Sequence, residues 1–136
     1  MKKTTKKDFY YAVGRRKRSI ARVRLFTGKG QTMINDLPIG EYFREFSPNL
    51  FLKPFELTDT VGKFYATVKT EGGGKASQLG AFVLGLSRAL SSADSSGKYR
   101  KVLKSAGFLT RDPREKERRK FGLAQGARAR KQSPKR

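Results

Sequence analysis

The first long segment of the chain alternates hydrophobic and polar residues with the period of a β-strand. Residues 9–26 read FYYAVGRRKRSIARVRLF. Near the end of this segment one face carries Ala21, Val23 and Leu25, and the other carries Ile20, Arg22 and Arg24. A period of two predicts a strand that packs its apolar side inward and turns its guanidinium side outward. TGKG at 27–30 then predicts a hairpin turn, after which QTMIN returns as a second strand.

A short helix is predicted after this hairpin. Asp36 suits the N-cap, because its side-chain oxygen can accept a backbone N–H, and Pro38 suits the first turn. The shared apolar face of the helix carries Ile39, Tyr42, Phe43 and Phe46, and Ser47-Pro48 ends it. The next stretch, 49–60, has apolar residues without a clear period, and Pro54 argues against a central strand there.

Three further elements complete the predicted body. Residues 63–70 alternate as a strand, with Phe64, Ala66 and Val68 on one face. Residues 75–93 carry apolar side chains at helical spacing, and Gly80 and Gly85 would let this helix lie close against a sheet. Residues 98–106 predict a last helix with Ser96 as its cap and Gly107 at its end. Its inward positions are Tyr99, Val102, Leu103 and Ala106. The fold class is therefore α+β, a small sheet packed with helices.

The apolar pattern nearly stops after residue 110. Residues 111–136 contain only Phe121 and Leu123 as sizeable apolar side chains. Such a segment buries too little surface to offset an ordering cost of about 1–2 kcal/mol per residue. We therefore expect a disordered basic N-terminus at 1–8, a globular body at 9–109 and an extended basic tail at 110–136. Within the tail, the mixed-charge run 111–120 could form a short helical turn after Pro113.

The charge is concentrated at the two ends of the sequence. The 136 residues carry a formal net charge of +21. Residues 1–25 hold 10 basic and 1 acidic side chains, residues 26–97 hold 7 of each, and residues 98–136 hold 15 basic and 3 acidic. Two nearly single-sign ends on either side of a neutral middle differ from a solvated helix face, which mixes both signs. A large polyanion is the natural partner of this distribution.

Catalytic and metal-binding chemistry finds little support. The chain has no Cys and no His, so disulfides, thiolate metal sites and the commonest general base are excluded. The Gly-Lys pairs at 28–29, 62–63 and 74–75 lack the spacing of a phosphate-binding loop, and turn glycines account for them better. The sequence therefore argues against an enzyme, and we expect no cofactor and no small-molecule substrate. No long apolar run or signal-peptide pattern appears, so a cytosolic location without a membrane partner is expected.

Nucleic-acid binding is supported by GRRKR at 14–18, four consecutive cations beside a glycine that would permit close backbone approach. Arginine forks phosphate and also stacks on bases. The aromatic residues Phe9, Tyr10 and Tyr11 stand just before this run, and either base stacking or packing within the first strand would explain them. The charge alone leaves an architectural DNA-binding protein as an alternative to an RNA-binding one. A membrane-active domain fits less well, because the tail has no apolar face.

The motif GRRKRSIARVRL, with INDLPIGEYF at 34–43, resembles the ninth protein of the small ribosomal subunit, a universal ribosomal family. KTEGGGKASQLGA at 69–81 and LKSAGFLTRDPREKERRKFGL at 103–123 extend the match, and the terminal Lys-Arg pair completes it. The resemblance covers residues 9–136. Its most specific part is AGFLTRDPREKERRKFGL, which combines a helix end, a turn and a mixed-charge run.

The resemblance implies a body like the second domain of ribosomal protein number five, with a tail that threads through RNA in the head of the small subunit. Lys135 and Arg136 would contact the anticodon stem-loop of P-site tRNA during translation in the cytoplasmic ribosome. The implied partners are small-subunit (16S-type) rRNA, that tRNA and neighbouring proteins of the head. The residues expected to bind rRNA are Arg15, Arg16, Lys17, Arg18, Arg22, Arg24, Arg111, Arg114, Arg118, Arg119, Lys120, Arg128, Arg130 and Lys131. The final KQSPKR departs from the bacterial pattern, which commonly has an aromatic residue there.

Overall fold

A computed structural model describes residues 9–129. The strands are β1 (Phe9–Arg16), β2 (Ser19–Thr27), β3 (Met33–Ile34), β4 (Leu37–Pro38) and β5 (Phe64–Glu71). The helices are α1 (Ile39–Tyr42), α2 (Pro48–Leu57), α3 (Lys75–Ala93) and α4 (Lys98–Ser105). The strands form one sheet in the order β1-β2-β5-β3-β4, antiparallel except where β3 runs parallel to β5. The predicted α+β class is confirmed, as are the strand over 63–70 and the helix over 75–93.

The hairpin predicted at 27–30 is wrong. The tight turn lies at Lys17-Arg18, where β1 folds back on β2 with a register running from Phe9↔Phe26 to Arg16↔Ser19. The other edge of β2 pairs with β5. Since both edges of β2 are occupied, residues 31–35 have no place beside it, and β3 pairs with β4 and β5 instead. Two glycines mark a turn, but they do not determine which strand the chain joins next.

Asp36 is not the N-cap predicted for the first helix. Asn35 and Asp36 both adopt positive φ, 48° and 66°, in the two-residue turn between β3 and β4. The side chain of Asn35 fixes this turn to β5, because its amide donates to the Thr70 carbonyl at 3.0 Å and its oxygen accepts the Thr70 N–H at 2.9 Å. The stretch left unassigned by periodicity forms α2, with Pro48 at the first helical position and Pro54 inside the helix.

The hydrophobic core lies between one face of the sheet and the helices. From the strands it receives Ala21, Val23, Leu25, Ile34, Ala66 and Val68, and all six are at most 1% exposed. Helix α3 supplies the opposing layer with Leu79, Phe82, Leu86 and Leu90. The apolar faces predicted for β2, β5 and α3 are therefore confirmed. In α4 only Leu103 is buried, while Val102 and Ala106 are exposed, so the inward face predicted for that helix is partly wrong.

The start of α4 is capped by Asp94 rather than by Ser96. The Asp94 carboxylate accepts the Tyr99 backbone N–H at 3.1 Å, and it also accepts the side-chain hydroxyl of Ser96 at 2.6 Å. These hydrogen bonds, the one from Ser96 first, favour the ionised carboxylate and lower the pKa of Asp94. Gly97 adopts φ +79° between Asp94 and the helix, and Gly107 ends the helix with φ +82°, as predicted.

Candidate nucleic-acid interface

Helix α3 covers one face of the β1-β2-β5 sheet and leaves the opposite face uncovered. Cross-strand partners point to the same side of a sheet, so the register identifies every outward position. These twelve residues are exposed or half-buried, and no helix or strand of residues 9–129 packs over them. We call this surface the open sheet face: Phe9, Tyr11, Val13, Arg15, Ile20, Arg22, Arg24, Phe26, Tyr65, Thr67, Lys69 and Glu71.

The open sheet face is strongly cationic. Three of the predicted rRNA-binding residues lie on it, namely Arg15, Arg22 and Arg24, and all three are exposed. Lys69 lies opposite Arg22 on β5 and was missed from the sequence. Its signal was nevertheless present, because the alternation that buries Ala66 and Val68 turns residue 69 outward. Glu71 is the one acidic residue of this face, and its carboxylate lies 3.2 Å from the Arg22 guanidinium.

Aromatic rings lie beside these cations. Phe9, Phe26 and Tyr65 form a row across the three strands, with ring centroids 5.7 Å and 5.3 Å apart. The Arg24 guanidinium lies 5.6 Å from the centroid of Phe9. Tyr11 stands in the next row and is 52% exposed, whereas Tyr10 points to the α3 side. Phe9, Tyr10 and Tyr11 therefore have different surroundings. Phe9 packs against another ring, Tyr10 points to the α3 side, and Tyr11 is exposed on the open sheet face.

The four cations of GRRKR do not form a single cluster. Arg15 is on the open sheet face, and Lys17 and Arg18 are exposed at the tip of the β1-β2 hairpin. Arg16 points to the α3 side, where its guanidinium lies 3.6 Å from the Asp112 carboxylate. Gly14 is buried against the backbone of α3, so the predicted close approach is to the helix rather than to a nucleic acid.

Residues 111–129 belong to no helix or strand of the fold. The helical turn suggested after Pro113 is therefore absent, which agrees with the lack of apolar side chains that could pack such a turn. The cations predicted here are exposed, except that Arg128 is partly covered: Arg111, Arg114, Arg118, Arg119, Lys120 and Arg128. Phe121 next to them is fully exposed.

Hydrogen bonds and ion pairs hold this segment together. Arg114 makes a bidentate contact with Asp112, with Nε 3.0 Å from Oδ1 and Nη2 2.8 Å from Oδ2. This contact keeps the pKa of Asp112 well below its usual range and raises the pKa of Arg114. Farther on, the Arg128 Nε donates to Glu117 at 2.9 Å, and the Lys120 N–H donates to the Gly126 carbonyl at 3.0 Å. Asp112 and Glu117 thus already accept some of the hydrogen bonds that Arg114 and Arg128 can donate.

Four predicted site residues fall outside the described part of the chain. These are the rRNA-binding candidates Arg130 and Lys131 and the tRNA-binding candidates Lys135 and Arg136. The predicted basic N-terminus at 1–8 lies outside it as well. One further cationic surface was absent from the predicted site. Helix α4 exposes four basic side chains and contains no acidic residue: Lys98, Arg100, Lys101 and Lys104.

Two other features are absent from residues 9–129, a metal-binding cluster and a membrane-spanning helix. Among these residues no three acidic side chains come together in a way that could hold a metal ion. None of the helices described above has both the length and the apolar character needed to cross a membrane.

A comparison with protein families matches nearly the whole chain. The family model that matches is described as ribosomal protein S9/S16, and the match runs over residues 14–136. It therefore includes most of the open sheet face, the hairpin tip, α4 and the whole C-terminal segment.

Proposed function

Because the chain belongs to the ribosomal protein S9/S16 family, we propose that it folds rRNA in the head of the small ribosomal subunit and reaches P-site tRNA with its C-terminal end. The family is one of structural ribosomal proteins. The chain is therefore a component of the small subunit that binds rRNA and serves translation in cytoplasmic ribosomes. The match over residues 14–136 is the observation that carries the proposal.

We assign a role to each part of the chain on the basis of its charge and of its apolar content. The body combines the neutral middle of the sequence with the cationic β1-β2 hairpin and α4, and we infer that it resembles the second domain of ribosomal protein number five. Residues 110–136 act as a basic tail that becomes ordered when rRNA surrounds it, because the tail has almost no apolar surface to bury. Residues 1–8 form a second, shorter basic extension.

The rRNA contacts are assigned to the exposed cations. On the body these are the open sheet face, with Arg15, Arg22 and Arg24, and the hairpin tip, with Lys17 and Arg18. Each Lys or Arg that meets a phosphate releases condensed counterions, which favours binding and makes it sensitive to salt. Arg16 is also assigned to rRNA binding. It lies at the junction of body and tail, where its guanidinium is 3.6 Å from the Asp112 carboxylate and its buried Nε has no hydrogen-bond partner within residues 9–129. The tail supplies Arg111, Arg114, Arg118, Arg119, Lys120, Arg128, Arg130 and Lys131.

Asp112 and Glu117 act in this proposal as temporary partners of Arg114 and Arg128. No side chain of these two pairs is buried, and ion pairs in contact with solvent contribute little to stability, so RNA phosphates can replace the carboxylates as partners of Arg114 and Arg128 at small cost. Until then the pairs limit the self-repulsion of a highly cationic segment. The tRNA contact is assigned to Lys135 and Arg136 because this terminal Lys-Arg pair resembles the end of the ribosomal family's sequences. The remaining proposed partners are neighbouring proteins of the subunit head.

Crosslinking in living cells tests the proposal. The chain is irradiated in place, isolated under denaturing conditions, and the attached nucleic acid is sequenced. We expect reads concentrated in the head region of small-subunit rRNA, together with a minor class of tRNA reads. Reads dominated by genomic DNA would favour the architectural alternative and contradict the proposal. A tagged cytosolic protein without a basic patch serves as the control for background crosslinking.

A further inference from the structure

We propose that the open sheet face binds an unpaired RNA nucleotide, with its base stacked on Tyr11 and its phosphates on Arg22, Arg24 and Lys69. The proposal rests on the rRNA-binding function proposed above, and it names the form of RNA that the body recognises. It concerns a surface of the body rather than the tail.

The register arranges the open sheet face in four rows across three strands. In order they are Phe9-Phe26-Tyr65, Tyr11-Arg24-Thr67, Val13-Arg22-Lys69 and Arg15-Ile20-Glu71. The first row is therefore entirely aromatic, and the next two rows carry the three cations Arg24, Arg22 and Lys69. Neighbours within a row are about 5 Å apart, and successive rows are about 7 Å apart because two residues of a strand separate them, so one nucleotide can touch two rows at once.

Tyr11 is the ring with a free face. Phe26 stacks on Tyr65 with an interplanar angle of 16°, and Phe9 is covered by Phe26 and by the guanidinium of Arg24. Tyr11 is 52% exposed and has no ring contact within residues 9–129. An aromatic side chain on the edge strand of an uncovered cationic sheet face offers a base a stacking surface that any of the four bases can use.

The cations beside Tyr11 lack enough acidic partners in the described part of the chain. Arg24 lies directly opposite Tyr11 on β2, and Lys69 lies directly opposite Arg22 on β5. Like charges at directly opposed sheet positions destabilise each other, so this arrangement favours a bound anion. Glu71 pairs with Arg22 at 3.2 Å, but both side chains are more than half exposed, so a phosphate can displace the carboxylate.

An unpaired nucleotide fits this surface better than a duplex does. The wide, shallow groove of double-stranded RNA presents phosphates and 2′-hydroxyls, and its base faces are stacked on one another. A duplex would therefore use the cations and leave the Tyr11 ring without a partner. The nearly single-sign charge of the face, with Glu71 as its one acidic residue, also favours RNA over a neighbouring protein, because a basic surface patch is the electrostatic footprint of a polyanionic partner.

The affinity test uses the full chain and two probes of equal length, a single-stranded adenine decanucleotide and a ten-base-pair RNA duplex. Tyr11→Ala should weaken binding of the single strand at least about fivefold, because stacking of one base is lost. Tyr11→Phe should bind like the wild type, since it keeps the ring. The matched control is Tyr10→Ala, which removes the neighbouring tyrosine from the other side of β1. Duplex binding should be nearly unchanged in all three variants.

A second measurement identifies the occupant in assembled small subunits. A photoreactive benzoylphenylalanine replaces Tyr11, and its adduct is identified by mass spectrometry. An adduct with an unpaired rRNA nucleotide supports the proposal, whereas an adduct with another protein, with paired rRNA only, or with nothing overturns it. Equal single-strand affinity of Tyr11→Ala and wild type also overturns it. In either case a wild-type chain that still enters the small subunit leaves the rRNA-binding function standing, whereas a chain that binds no rRNA removes both.

Discussion

Gly14 of β1 and Gly85 of α3 meet backbone to backbone. A Cβ added to Gly14 would overlap the amide nitrogen of Gly85 and the carbonyl oxygen of Ala81, and one added to Gly85 would lie 2.9 Å from the Gly14 nitrogen. The helix therefore rests directly on the strand. This close approach fixes which face of the sheet is buried, and with it the outward direction of Arg15 on the next position of the same strand.

Replacing Gly14 by alanine is expected to destabilise the body strongly. The new methyl group meets backbone atoms that cannot rotate away, so α3 has to move from the sheet. We expect a loss of about 3 kcal/mol in the free energy of unfolding, the upper end of typical overpacking costs, measured by chemical denaturation. Gly40→Ala in α1 is the matched control, because its Cβ would meet nothing within 4 Å. Equal stability of the two variants would show that the strand and helix are farther apart than described.

The cap of α4 makes a prediction about pH. The pKa of Asp94 is lowered in the fold, so its contribution to stability is fully present above the usual aspartate pKa of about 3.9 and is lost as the pH falls through the lower folded value. Asp94→Ala should therefore lower the thermal unfolding midpoint at neutral pH, and the difference from wild type should shrink in acid. Glu115→Ala, which removes an exposed acidic residue, is the control. A difference that stayed constant down to the acid limit would contradict the capping role.

Removal of Lys135 and Arg136 tests the proposed tRNA contact. Subunits assembled with the shortened chain should bind P-site tRNA more weakly, because the two cations proposed to contact the anticodon stem-loop are lost, while subunit assembly should be largely unaffected. Filter binding of tRNA to purified subunits measures the effect. Lys2→Gln with Lys3→Gln removes the same charge from the other end of the chain and should leave tRNA binding unchanged. If tRNA affinity is the same in all three preparations, the terminal pair has no such role.

Elements with strong periodicity were predictable from the sequence. The alternation in β2 and β5 and the helical spacing in α3 identified their buried faces because each of these elements packs one side against the core. The resemblance to a ribosomal family was likewise carried by contiguous motifs, and the family match confirms it. The charge distribution pointed to a polyanion without any knowledge of the fold.

What the sequence did not reveal depends on contacts between distant residues. The glycines at 27–30 do not form a hairpin, because β5, some 40 residues later, occupies the edge of β2 that the returning segment would need. The division of GRRKR between two sheet faces and a turn follows from the register of β1 with β2. Lys69 was not predicted as a binding residue for a related reason, because it joins the cationic surface only when β5 places it beside Arg22.

The salt dependence of rRNA binding tests the central claim most directly. The claim is that exposed cations of the body and of the C-terminal segment bind rRNA phosphates together. About ten such contacts predict a slope near −9 when the logarithm of the binding constant is plotted against the logarithm of salt concentration. Arg22→Gln combined with Arg24→Gln should make this slope shallower by about 2. A wild-type slope of only about −2, unchanged in the double variant, would contradict the account.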